Sequence, residues 1–287
     1  MAAGKVAEVI GACGCKPDIL FLDPARRSDT GRKVFLLEDC SPDILTLKDE
    51  LLEAAADVLV KLSPMADITM VCSRLGRQVR EVHVVEADGE CKELLVVMES
   101  GKNAGEPEII VASDGAEMAF RQSEESDAVP DMSVAPAAGM FLFEPGSALM
   151  KSGAFNLISS RFGVSKLGRH AHLYCSPNVV PDLSAFGKWF AISEILPLCK
   201  ASFRELSARS LRAEVTARGL HLTSDELRKK LCKMNRDVRG RFVKSDIPTY
   251  EIRTKDGKTY LQVLRPHIFD KEEFEEIAAR LQAAWRS

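Results

Sequence analysis

The sequence predicts an α/β fold, and three observations carry that prediction. Short apolar runs at Ile19–Leu22 and Asp57–Leu62 have the length and composition of strands buried on both faces. Amphipathic helical patterns follow each of them, over 44–56 and 65–75, so strands and helices alternate as in a parallel sheet with crossover helices. Two β-rich runs, 80–86 and 91–99, then flank Ala87-Asp88-Gly89, and Asp-Gly is a strong hairpin signal. The expected architecture is a parallel sheet that finishes in an antiparallel hairpin.

Each element has its own justification. Val6, Val9 and Ile10 fall at helical spacing within 2–12. Residues 28–33 are polar with a glycine and read as a loop, and 34–37 is a brief apolar stretch. In 44–56 the apolar stripe is Ile44, Leu47, Leu51, Leu52 and Ala55. Ser63-Pro64 ends the second strand. Residues 106–131 hold eight acids against Arg121, and 122–130 reads as an exposed linker and domain boundary. A short apolar strand is expected at 139–144. Two short helices, parted by Gly153, are expected within 147–162. Residues 173–175, 188–196 and 212–217 read as strands, and 198–207 as a helix. Thr223 or Ser224 caps a helix running to Met234, with Asp225 and Glu226 suited to its N-terminus. Residues 249–254 and 258–264 flank Asp256-Gly257, a second hairpin. A final amphipathic helix is expected over 270–285, with Asp270 as its cap.

Composition bounds the function classes. A chain of 287 residues suggests two or three domains. With 46% hydrophobic and 28% charged residues it is an ordinary globular sequence. The net charge of −3 gives no global field pointing to nucleic acid, so local charge must carry any such argument. The eight cysteines are scattered without a CxxC pair, which predicts reduced thiols and a cytoplasmic location, with neither a disulfide frame nor a zinc site. No apolar run is long enough to span a membrane, and the N-terminus lacks the apolar core of a signal peptide.

The rest of the chain is organised around Lys16-Pro17-Asp18-Ile19-Leu20-Phe21-Leu22-Asp23-Pro24-Ala25-Arg26-Arg27. Open α/β sheets bind ligands outside the carboxyl ends of their strands, and Asp23 stands at such an end. Pro24 fixes the backbone there and removes one donor. Arg26 and Arg27 suit phosphate or base stacking; equally, the segment reads as a strand-end turn with solvated arginines. Lys61 and Ser63, at the end of the next strand, either line the same crevice or, for Lys61, snorkel from it. Cys72 falls on a helix and reads as a core cysteine. His170 and His172 have no acid or cysteine nearby, so no metal site is expected. Between 200 and 244, thirteen Lys or Arg stand against five acids. A patch of this size suits a phosphate backbone, with Arg228, Lys229, Lys233, Arg236, Arg239, Arg241 and Lys244 as its contacts; the alternative is a solvated helix face.

Several segments together resemble one family. They are Asp23-Pro24-Ala25-Arg26-Arg27, Val34 through Cys40, Lys61-Leu62-Ser63-Pro64-Met65, Glu81-Val82-His83-Val84-Val85 and Cys91 through Leu95. Phe141-Leu142-Phe143-Glu144-Pro145, Met150 through Phe155 and Ser224 through Leu231 extend the match over nearly the whole chain. The chain resembles the bacterial THUMP-like, class I S-adenosylmethionine (SAM)-dependent methyltransferase family. The resemblance implies the second half of a Rossmann-like methyltransferase sheet, a small ferredoxin-like α+β domain and a C-terminal THUMP-like α+β domain. The corresponding boundaries are 1–120 for the partial methyltransferase domain, 121–137 for the acidic linker, 138–190 for the ferredoxin-like domain, 191–267 for the THUMP-like domain and 268–287 for a closing helix.

It also implies activity, cofactor and partner. The activity is SAM-dependent methylation of structured RNA, tRNA or rRNA. Asp23, Pro24, Arg26 and Arg27 would be catalytic, and Asp23, Lys61 and Ser63 cofactor-binding. Asp23 would hold either the target amine or the methionine end of SAM. Related amino-methylating turns of the wider fold usually carry a second proline and an aromatic residue where this chain has Ala25 and Arg26. Gly11-Ala12-Cys13-Gly14 lies too close to Asp23 to be the glycine-rich cofactor loop, because a helix, two strands and another helix belong between them. The expectation is therefore an incomplete SAM site. A non-catalytic RNA- or partner-binding remnant is the alternative reading.

Overall fold

The computed structural model describes residues 12, 16–26, 37, 40–101, 105–208, 214–217, 223–233, 249–255 and 258–266. The chain divides into two compact units, Met1–Ala128 with Gly146–Phe155, and Val129–Pro145 with Asn156–Ser287. The helices expected over 2–12 (Ala12 apart) and 270–285 lie outside the described residues.

The first unit is built on strands β1 (Ile19–Leu22), β4 (Asp57–Leu62), β5 (Val79–Ala87), β6 (Glu90–Glu99), β7 (Glu108–Ser113) and β8 (Ala116–Arg121). They form one sheet in the order β1-β4-β6-β5-β7-β8. β1 and β4 are parallel, and β6 returns antiparallel between β4 and β5. The Asp88-Gly89 turn works as expected: both residues have positive φ, at 55° and 74°, which matches the twist of the flanking strands.

Three helices cover the buried face of this sheet. α1 (Ile44–Ala54) packs on β4 and α2 (Ile68–Leu75) on β5, while α4 (Ser147–Ser152) lies across β5, β6 and β7. Asp43 caps α1 by accepting from the Leu45 amide at 3.0 Å, and Asp67 caps α2 by accepting from Met70 at 2.8 Å. Val58, Val60, Val82, Val84, Leu94, Val96, Ile109 and Val111 form the core beneath.

Two expectations need correction here. β1 is not buried on both faces: Ile19 is 62% and Phe21 58% exposed. It is an edge strand bonded to β4 alone, and no described helix covers the face that carries these two side chains. Nor is 122–130 simply a linker. Gln122–Asp127 is a helix, α3, entered through a bond from the Arg121 amide to Glu124 Oε1 at 2.9 Å. Just before it, the acidic stretch contains β7 and β8, which pair through a second Asp-Gly turn, Asp114 at φ 48° and Gly115 at φ 79°.

The second unit holds a seven-stranded sheet in the order β10-β11-β9-β12-β15-β14-β13. Its strands are β9 (Phe141–Pro145), β10 (Ser165–Lys166), β11 (Tyr174–Ser176), β12 (Gly187–Pro197), β13 (Glu214–Val215), β14 (Thr249–Lys255) and β15 (Lys258–Pro266). β12 pairs with β9 through its first half and with β15 through its second, so one long strand ties both halves into a continuous sheet. Met140, Leu142, Leu173, Cys175, Phe190 and Ile192 form the core on one side. On the other side Phe143 packs between Tyr174 and Trp189 in tilted arrangements, with ring centroids 6.2 and 5.0 Å away. The two helices expected around Gly153 are α4 and α5 (Phe155–Phe162), and Gly153 ends α4 in the left-handed conformation at φ 85°. α6 (Lys200–Ala208) and α7 (Ser224–Lys233) follow. Thr223 and Glu226 cap α7 reciprocally: Thr223 Oγ1 accepts from the Glu226 amide, and Glu226 Oε2 accepts from the Thr223 amide.

Candidate functional site

The register of β1 and β4 creates the site. Their last paired residues are Leu22 and Val60, so the next residue on each strand, Asp23 and Lys61, stand side by side at two adjacent carboxyl ends. Strand alternation puts both on the face that carries Ile19, Phe21 and Leu59. Lys61 Nζ donates to Asp23 Oδ2 at 2.9 Å. It also lies 3.6 Å from Glu93 Oε2 on β6. Lys61 pairs with Leu95 across the β4–β6 ladder, and Glu93 is two residues along on the same face.

The electrostatics follow from these contacts. The hydrogen bond to Asp23, then the charge of that carboxylate, raises the Lys61 ammonium above its ordinary value. All three side chains are partly exposed, at 55% for Asp23, 36% for Lys61 and 29% for Glu93. Solvent screening therefore leaves little net stability in the ion pair. Its consequence is geometric, because one ammonium fixes the direction of two carboxylates.

The remaining residues expected at the site take varied places. Ser63 is half-buried, and its Oγ accepts from the Met65 amide at 3.3 Å, so it shapes the turn that leaves β4. Pro24 leads into a short ribbon, in which β2 (Ala25–Arg26) pairs antiparallel with β3 (Cys40–Ser41). The backbone of Arg26 is thus part of a strand; Arg27 lies outside the described residues. Sequence reasoning missed Glu93 and the ribbon. Both depend on pairing between distant segments, and the local signal at Glu93 was only that of a strand residue.

The basic contacts divide similarly. Arg228 and Lys229 are exposed on α7, and Arg228 donates to Asp225 at 2.7 Å, one turn back. Lys233 closes α7, while Arg236, Arg239, Arg241 and Lys244 lie outside the described residues. Cys72 sits half-buried on α2, and burial, with Asp67 nearby, pushes its thiol up to about 11. Among the described residues no group of three or more His, Cys, Asp or Glu is placed to hold a metal ion. No helix among them is long and apolar enough to cross a membrane.

Comparison with known families bears on the second unit first. Residues 141–183 match the model of a ferredoxin-like domain, and residues 187–236 match a THUMP domain-like model. The chain carries a ferredoxin-like domain followed by a THUMP-like domain. The THUMP-like match begins with β12, the strand that joins the two halves of the sheet, and ends just past α7. A solved structure, that of a proposed methyltransferase from Porphyromonas gingivalis W83, is similar over 92% of this chain, with a TM-score of 0.75 and 29% sequence identity. The match covers 63% of that chain. No curated protein matches the sequence. The order anticipated from sequence, a mixed α/β sheet and then ferredoxin-like and THUMP-like domains, is the order found.

Proposed function

We propose that this chain serves a SAM-dependent methyltransferase acting on structured RNA, tRNA or rRNA, with the THUMP-like domain as its RNA-binding module in the cytoplasm. The observation that carries the reading is Asp23 at the carboxyl end of β1, beside the end of the parallel strand β4. Ligands of open α/β sheets bind at such ends. The similarity to a proposed methyltransferase supports the same reading.

The donor set fits a cationic cofactor. Asp23 and Glu93 share the single ammonium of Lys61, so this cluster sets two carboxylates against one cation. SAM, when bound, supplies a methyl group activated on a positively charged sulfur. Asp23 accepts a hydrogen bond from the target amine or from the ammonium of the methionine end. Pro24 holds the turn, Ser63 closes the end of β4, and Arg26 and Arg27 meet phosphate or stack on a base. Arg228, Lys229, Lys233, Arg236, Arg239, Arg241 and Lys244 hold the RNA backbone.

Two measurements test this. With a glycine-rich cofactor-binding segment supplied alongside this chain, labelled methyl from SAM should enter an RNA pool, and no label in RNA would refute the reading. Filter binding across a salt series should show log affinity falling by about 0.7 per phosphate contact for each decade of salt. Lys229→Ala/Lys233→Ala/Arg236→Ala should flatten that slope; an unchanged slope would remove these residues from the RNA interface.

A further inference from the structure

Three strands converge at the candidate site, and the middle one carries a cation between two acids. Lys61 of β4 donates to Asp23 of β1 at 2.9 Å and lies 3.6 Å from Glu93 of β6. An ammonium so engaged is poorly placed to serve as a separate ligand contact. The geometry points to Lys61 as a positioning residue that acts through Asp23, with Glu93 holding Lys61 from the far side. This inference rests on the methyltransferase reading and assigns a new role within that site.

Asp23 lies past the last β1–β4 residue pair, where ladder hydrogen bonds no longer fix the chain, and its side chain is 55% exposed. A carboxylate in that position samples several rotamers unless something holds it. Lys61 binds Oδ2, which fixes the rotation of the carboxylate and hence the direction in which Oδ1 points. Glu93 keeps the ammonium over the sheet face, because its own strand pairs with β4 in fixed register. Without Lys61, two carboxylates would share this face with no cation between them. Asp23 would then turn away to relieve the repulsion. A misplacement of about 1 Å costs on the order of 100-fold in rate.

A double-mutant cycle on methyl transfer, with a glycine-rich cofactor-binding segment supplied, decides it. Lys61→Met should slow the reaction by about 10- to 100-fold, mainly in kcat, with the melting temperature unchanged. Lys61→Arg, which keeps the cation, should recover part of the loss. Glu93→Gln should lower the rate less than Lys61→Met does. In an Asp23→Asn background, Lys61→Met should add less than about a twofold effect, because a residue that acts through Asp23 has nothing left to orient. Full additivity in that background, or a wild-type rate in Lys61→Met, would overturn the inference and leave the reading of Asp23 intact. A wild-type rate in Asp23→Asn would overturn the site itself, and this inference with it.

Discussion

Glu86 Oε2 on β5 accepts the amide of Ala148 at 2.7 Å, sixty-two positions later in the chain. The same oxygen accepts from Ser147 Oγ at 2.8 Å. A strand carboxylate thus caps α4, whose own cap residue, Gly146, has no side chain to do so. It also favours the helix dipole. Glu86→Ala should destabilise the protein by about 1–2 kcal/mol. Urea denaturation with unchanged slope and a lowered midpoint would show it, and an unchanged midpoint would mean that the cap contributes nothing.

Gly187 opens the strand that joins the ferredoxin-like and THUMP-like matches. A Cβ there would collide with the Glu144 carbonyl oxygen and would lie 2.7 Å from the Phe143 ring. Phe143 is fully buried between Tyr174 and Trp189 and has no room to retreat. Gly187→Ala should cost about 1–3 kcal/mol through overpacking. Thermal unfolding checks this, and a melting temperature equal to wild type would contradict it.

Two thiols should differ in reactivity. The Cys72 thiol is pushed up to about 11, first by burial and then by Asp67. Cys199 is exposed, and hydrogen bonding from Ser202 lowers its value. At pH 7–8 the Cys199 thiolate fraction is the larger, so iodoacetamide should label Cys199 well before Cys72. Peptide mapping over a time course reads the order, and equal rates would contradict the assigned environments.

The Lys61 ammonium should titrate late. Its value is raised by Asp23, so the folded chain keeps the charge to higher pH than the unfolded chain does. The resulting stabilisation is complete below the unfolded value of about 10.4 and is lost as pH rises through the raised folded value. Asp23→Asn should lower the Lys61 midpoint measured by NMR. An unmoved midpoint would show that the pair does not persist in solution.

Much of this was legible in the sequence, for local reasons. Asp88-Gly89 announced the hairpin because few residues besides glycine, asparagine and aspartate tolerate its positive φ. Asp23 was legible as a strand end because Pro24 closes the apolar run. What escaped was nonlocal. The acids of 106–131 masked β7 and β8, although Ile109-Ile110-Val111 and Asp114-Gly115 carried their signal. Glu93 joins the site only through the β4–β6 register, and the exposure of Phe21 only through the edge position of β1.

The most direct test compares single-turnover methyl transfer from SAM to saturating RNA by the wild-type sequence and by Asp23→Asn, each supplied with a glycine-rich cofactor-binding segment. The predicted result is label in the RNA with wild type and a rate at least about 100-fold slower in the variant, with RNA affinity within about twofold and the melting temperature unchanged. Equal rates for the two proteins would contradict the role assigned to Asp23.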